Sequence, residues 1–142
     1  MRVLVLSDNR AGKMDFEIEH GLSVYLEAES YKCLLDAGAS GLFARNANLL
    51  NIDLGNVDYL FISHGHADHT GGLSKFLEIN RKAKIVVSSQ ILNEEFYSSR
   101  GELRKITTDF DFDTLKERLF LVDEKAVFEE DIAVFKPKIR KY

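Results

Sequence analysis

Four side chains of the kind that bind transition metals, His64, His66, Asp68 and His69, fall within six residues of one another. They follow directly on the apolar run Tyr59-Leu60-Phe61-Ile62. No other feature of the chain constrains its fold as much. An uninterrupted apolar run of this length reads as a strand buried on both faces. The donors then stand at the strand's C-terminal end, where such sheets hold their ligands. In extended chain, residues two apart point the same way, so His64 and His66 can converge on one ion. Asp68 and His69 come after the turn at Gly65-His66-Ala67 and can approach a neighbouring second ion from another direction. Imidazole and carboxylate suit zinc, iron or manganese, with zinc the first expectation and one or two ions the expected number. A single histidine is most simply a cap or a packed ring; three with an aspartate at this spacing are not. Gly65 allows a tight loop, and Gly71-Gly72 let the next helix start close by.

Around this run the chain alternates between strand and helix patterns. Val3–Leu6 reads as a short buried strand, and Leu22–Ala28 alternates with Leu22, Val24, Leu26 and Ala28 on one face. Glu29-Ser30 supplies a turn into Tyr31–Leu35, giving a hairpin. Ser40 can cap a helix running to about Leu50. Thr70–Asn80 looks helical, Lys84–Ser88 is a strand, and Ser89–Phe96 a short helix. Ser98–Asp113 is ambiguous. Leu119–Val122, Ala126–Phe128 and Ile132–Phe135 read as short strands. Phe110, Phe112, Phe120, Phe128 and Phe135 are read as core, and Lys136–Lys141 as a solvated tail. The expectation is an α/β (α+β) fold, a mixed sheet covered by helices, in one domain spanning residues 1–142, with no linker or repeat to divide it.

Composition removes several function classes. A net charge of −4, with acidic and basic residues interleaved, argues against a nucleic-acid partner. The apolar stretch after Met1 ends at Asp8, too short for a leader or a membrane span. Cys33 is the only cysteine, sits in the apolar Lys32-Cys33-Leu34-Leu35, and reads as a small core residue. The chain is therefore expected to be cytoplasmic, with a small-molecule substrate and no membrane role.

The stretch Phe61–Leu73, carrying Ser63-His64-Gly65-His66-Ala67-Asp68-His69-Thr70-Gly71-Gly72, closely resembles the first metal motif of the metallo-β-lactamase-fold superfamily. Asp8-Asn9-Arg10, Glu19-His20-Gly21-Leu22-Ser23 and Leu35-Asp36-Ala37-Gly38 resemble the segments that precede the motif in the branch containing dihydropterin–ribofuranosylaminobenzene phosphate synthases. The resemblance is strong from Val3 to Leu73 and fades beyond. It implies an αββα architecture, with His64 and His66 on a first metal and Asp68 and His69 on a second. Asp36 would orient ligands. Arg10 and His20 would lie near the pocket and contact an anionic substrate. Taken alone, Asp36 also fits a plain turn before Ala37-Gly38, and Arg10 a solvated loop.

The family's full site also needs ligands downstream, and this chain has no histidine after His69. The resemblance thus covers an N-terminal half of a two-half sandwich. Three explanations stand: a split product completed by another chain, a self-associating half, or a half that binds metal poorly. An open sheet face implies a homodimer or a partner chain. The first function expected is a metal-dependent hydrolase, in which the metal lowers the pKa of water toward ~7 and Asp68 holds the resulting nucleophile in line. A pterin-related transferase and a non-catalytic or partner-completed metal-binding half-domain are the alternatives.

Overall fold

A computed structural model describes residues 1–10, 15–129 and 132–135. Six strands form one mixed sheet in the order β1-β2-β3-β4-β5-β8. They are β1 (Arg2–Ser7), β2 (Ser23–Glu27), β3 (Lys32–Leu35), β4 (Tyr59–Ile62), β5 (Lys84–Ser88) and β8 (Leu119–Val122). The first three run antiparallel as a meander; β3, β4, β5 and β8 are parallel. Helix α1 (Leu42–Leu49) joins β3 to β4, and α2 (Ala67–Thr70) with α3 (Leu73–Ile79) joins β4 to β5. Two small hairpins complete the chain: β6 (Tyr97–Ser98) with β7 (Arg104–Lys105), and β9 (Lys125–Phe128) with β10 (Ile132–Phe135).

The pleat sorts the sheet's side chains between two cores. Leu6, Tyr25, Leu34, Leu60, Ile62, Ile85 and Val87 point to one face and pack with Phe43, Ala47, Leu73 and Phe76 of the helices. Cys33, Tyr59 and Val86 point the other way and meet Phe128, which stands edge-on to Tyr59, Phe61 and Phe120. The β9/β10 hairpin covers only part of this second face. At the edge strand β1, Val3 and Val5 stay 50% and 54% exposed.

Several local expectations change. Val3–Leu6 is not a buried strand but an edge strand with one wet face, because β1 pairs only with β2. In β2 the apolar-looking set Val24 and Leu26 lies on the half-covered face, while Tyr25 fills the main core. Gly41, not Ser40, is the N-cap of α1, although Ser40 Oγ still accepts the amide of Leu42 at 3.2 Å. The expected Thr70–Asn80 helix is split, with α2 ending before Gly71-Gly72 and α3 starting after it. Ser89–Phe96 forms only a 3-10 turn over Ser89–Leu92. Phe112 and Phe128 are core, but Phe120 and Phe135 are 44% and 68% exposed. Lys136–Lys141 lies outside the described residues. No helix among the described residues is long and apolar enough to cross a membrane.

Candidate metal centre

Two parallel strands deliver the site. β3 ends at Leu35, and Asp36 takes the left-handed conformation (φ 57°) that Asp tolerates better than most residues. Its amide donates to the carbonyl of Phe61 on β4 at 2.8 Å. The turn therefore drives the Asp36 side chain, almost fully buried, under the start of the histidine loop. There Oδ1 accepts the amide of Ser63 at 2.8 Å, and Oδ2 accepts the Ser63 hydroxyl and the Nδ1 of His69, both at 2.7 Å.

This network fixes two imidazoles. The Ser63 hydroxyl has one proton and gives it to Asp36, so its 2.8 Å contact with Nδ1 of His64 must be an N–H of the ring donating to Ser63 Oγ. His69 donates its own Nδ1–H to Asp36. In the neutral state both rings then carry the proton on Nδ1 and leave Nε2 with a free lone pair, the arrangement that metal-binding histidines take. Ser63 was not singled out from the sequence. Only its position beside His64 could have signalled it.

The three rings gather closely: His64 lies 4.3 Å from His66 and 4.2 Å from His69, centroid to centroid. His66 is backed edge-on by Phe96 at 4.7 Å. Its carbonyl accepts the amides of His69 and Thr70 and the Thr70 hydroxyl. The segment around β7 clamps the loop from outside: Ala67 donates to Ile106 O, and Thr108 donates to Gly65 O, each at 2.8 Å. Phe96 and the 106–108 backbone are therefore supports that sequence reading missed. The 106–108 backbone lies in the ambiguous stretch Ser98–Asp113, and Phe96 ends the segment expected to be a short helix.

Electrostatics separates the rings. The hydrogen bond to Asp36 raises the His69 pKa above its ordinary value, against the opposing effect of burial. Burial lowers that of His64, and the neighbouring His69 and His66 add to the effect. Asp68 stands at the mouth, its Oδ2 3.7 Å from Nε2 of His69 and 3.3 Å from Nε2 of His20. The structure thus brings His20, His64, His66, Asp68 and His69 together over Asp36. Arg10 is exposed and makes no hydrogen bond or ion pair among the described residues. Among those residues, no group of three or more His, Cys, Asp or Glu side chains is closed around a position that could hold a metal ion. The donor chemistry and the anchored Nδ1 atoms fit a divalent metal; closing the shell needs side-chain rotation or further ligands. A cavity of about 470 Å³, lined by Ile91, Glu95, Lys105, Thr108 and Asp113 among others, includes none of the cluster. His64, His66, Asp68 and His69 are each half-buried at the strand ends.

Comparison with known proteins places this geometry. The family model of the metallo-beta-lactamase superfamily matches residues 18–135. The chain belongs to the metallo-beta-lactamase superfamily. A 7,8-dihydropterin-6-methyl-4-(beta-D-ribofuranosyl)-aminobenzene-5'-phosphate synthase of Methanocaldococcus jannaschii is 34% identical over 105 residues, covering 68% of this chain and 35% of that protein. An uncharacterized protein of the same organism is 39% identical over 77 residues, covering 54% of this chain and 29% of its own length. The chain thus spans about a third of these curated relatives. The crystal structure of a metal-dependent hydrolase of the beta-lactamase superfamily superposes with a TM-score of 0.69 at 26% identity, covering 95% of this chain and 47% of that one. A subclass B3 metallo-beta-lactamase from a soil metagenome shares the fold, with a TM-score of 0.55 and 24% identity over 80% of this chain and 44% of the other.

Proposed function

We propose that this member of the metallo-beta-lactamase superfamily is a metal-dependent hydrolase of small molecules. His64, His66, Asp68 and His69 would hold one or two ions, zinc before iron or manganese. The observation that carries the reading is the convergence of three imidazoles at the strand ends with the Nδ1 atoms of His64 and His69 already tied down. A divalent metal there supplies Lewis acidity, activating water at neutral pH and polarising a carbonyl or phosphoryl oxygen. The chain's own groups do the rest. Asp36 holds His69 by direct contact, and Ser63 passes the same constraint to His64, so neither ring need be ordered when a ligand arrives. Asp68, only partly buried, can accept a hydrogen bond from an approaching water and hold it in line.

Protein purified without added metal or chelator is expected to carry about one or two equivalents of zinc, iron or manganese per chain, read by elemental analysis. His66→Ala should lose most of that metal and its hydrolytic activity while keeping its circular dichroism spectrum. Unchanged metal content and activity would end the proposal. The similarity to a pterin-related synthase supports a second reading, a transferase using the same metal. It ranks lower, since no glycine-rich phosphate cradle is evident in the sequence. A substrate panel of esters, phosphoesters and pterin–arylamine pairs separates the two.

The apolar strip of Val3 and Val5 on the free edge of the sheet supports a homodimer. Light scattering coupled to size exclusion is expected to give twice the chain mass; a clean monomer at micromolar concentration refutes it.

A further inference from the structure

We infer, on the metal-dependent reading above, that Glu19 is a positioning residue of the metal centre. It stands outside the donor cluster and acts on Asp36 and His69 through the turn 36–40.

Every amide of this turn donates a hydrogen bond. That of Asp36 goes to Phe61 O and that of Ala37 to His69 O, both at 2.8 Å; that of Gly38 goes to Leu22 O at 2.9 Å. The last two converge on one atom: Ala39 N and Ser40 N lie 3.2 and 3.3 Å from Oε1 of Glu19. Gly38 takes φ 69°, the left-handed step that aims successive amides at one point and makes an anion-binding hollow. Glu19 fills that hollow from within the chain. Its Oε1 also accepts Ser7 Oγ at 3.2 Å, and its Oε2 accepts Ser40 Oγ at 2.6 Å. A Cβ on Gly38 would stand 2.6 Å from Oε1, so the glycine is what admits the carboxylate. One side chain thus ties the end of β1, the segment before β2 and the turn after β3.

The charge matters as well as the shape. Hydrogen bonds to a charged acceptor are about twice as strong as those between neutral groups, and all four donors here are neutral. Helix α1 starts directly after the turn and has no acidic residue in its first turn. The Glu19 carboxylate supplies the negative charge that a helix start favours. The metal centre feels this through two grips on one histidine. The Asp36 carboxylate holds the His69 ring, and the next residue, Ala37, holds the His69 carbonyl with its amide. Both grips belong to the turn that Glu19 fastens at its far end. Without Glu19 two amides lose their acceptor, the turn can tilt, and the ring and backbone of His69 shift together.

The test is a metal titration of the metal-free chain, followed by calorimetry with zinc and by visible absorption with cobalt(II). Wild type, Glu19→Ala and Glu19→Gln are compared with Arg118→Ala. The Arg118 guanidinium donates to the carbonyls of Asn80 and Ala83 before β5, at the end of the parallel strands away from the histidines. Glu19→Ala should bind zinc about tenfold or more weakly and shift the cobalt absorption. Glu19→Gln, which keeps the shape and loses the charge, should fall between it and wild type. Arg118→Ala should melt lower yet keep the wild-type affinity and spectrum. Unchanged affinity and spectrum in Glu19→Ala overturn the inference while leaving the metal reading standing. An equal loss in Arg118→Ala does the same, since it marks general loosening. Should Glu19→Ala fail to fold, Glu19→Gln decides alone: weaker zinc binding supports the role, and wild-type affinity overturns it. Failure of wild type to bind either metal overturns both readings.

Discussion

Replacing Asp36 with alanine should unfold or severely weaken the protein, with a loss on the order of 3 kcal/mol or more. The Ser63 amide, the Ser63 hydroxyl and the His69 Nδ1–H would all lose their acceptor beneath the loop. Alanine would also sit at φ 57°, a conformation that costs about 1 kcal/mol for a residue with a Cβ and no polar side chain to compensate. Denaturant unfolding measures the loss. Asp36→Asn keeps the tolerance for this backbone and one carbonyl acceptor, so it should fold better than Asp36→Ala. It should still bind metal about 10- to 100-fold more weakly, because the amide cannot hold Ser63 and His69 together. Proton NMR of the metal-free protein supplies an independent readout. His69 should titrate above the ordinary histidine value in wild type and lower in Asp36→Asn. The sign follows from the direction of the shift. A raised folded pKa adds stability that is complete below the unfolded imidazole's pKa and disappears as pH rises through the folded one. Equal stability of Asp36→Ala and wild type would mean that the carboxylate does not support the loop.

Gly72→Ala is expected to be nearly as damaging, about 3 kcal/mol, for a different reason. The φ of Gly72 is ordinary, −81°, so the backbone itself would accept alanine. The obstacle is space. A Cβ would overlap the carbonyl oxygens of Ala37 and Ser40 and stand 2.7 Å from the ring of Phe43. Two of those three neighbours are main chain and cannot turn aside, and the Gly72 amide already bonds to Gly38 O at 3.2 Å. The helix start would have to back away from the Asp36–Ser40 turn, carrying the histidine loop with it. Gly101→Ala is the contrast. Nothing lies within 4 Å of its Cβ, and its φ of 85° confines the cost to the left-handed penalty of about 1 kcal/mol. Thermal unfolding that left Gly72→Ala and Gly101→Ala alike would show that the close approach is not what holds the two loops together.

The donors themselves were legible because their information is local. Four ligand types within six residues after an apolar strand specify both a chemistry and a place at the strand end, and the parallel strands β3 and β4 put them there. The glycines were legible for the same reason, although their partners were not: only the fold shows that Gly71 and Gly72 lie against the carbonyls of Ala37, Ala39 and Ser40. Asp36 was visible through resemblance and ambiguous by composition, since an Asp before Ala-Gly is also a common turn. Its role depends on the register between β3 and β4, a long-range fact.

The sequence by itself determined the strands at Lys84–Ser88, Leu119–Val122, Ala126–Phe128 and Ile132–Phe135, the metal-type donor set and membership in a superfamily, because each rests on short windows of periodicity or motif. Tertiary structure decided which face each strand buries, making Tyr25 core and Val5 surface. It recruited Ser63, Phe96 and the 106–108 backbone as supports, and it brought His20 to Asp68 across 48 residues of chain. Those outcomes depend on which segments meet, and that is set by sheet order and by loops packed through glycine, not by the residues nearby in sequence.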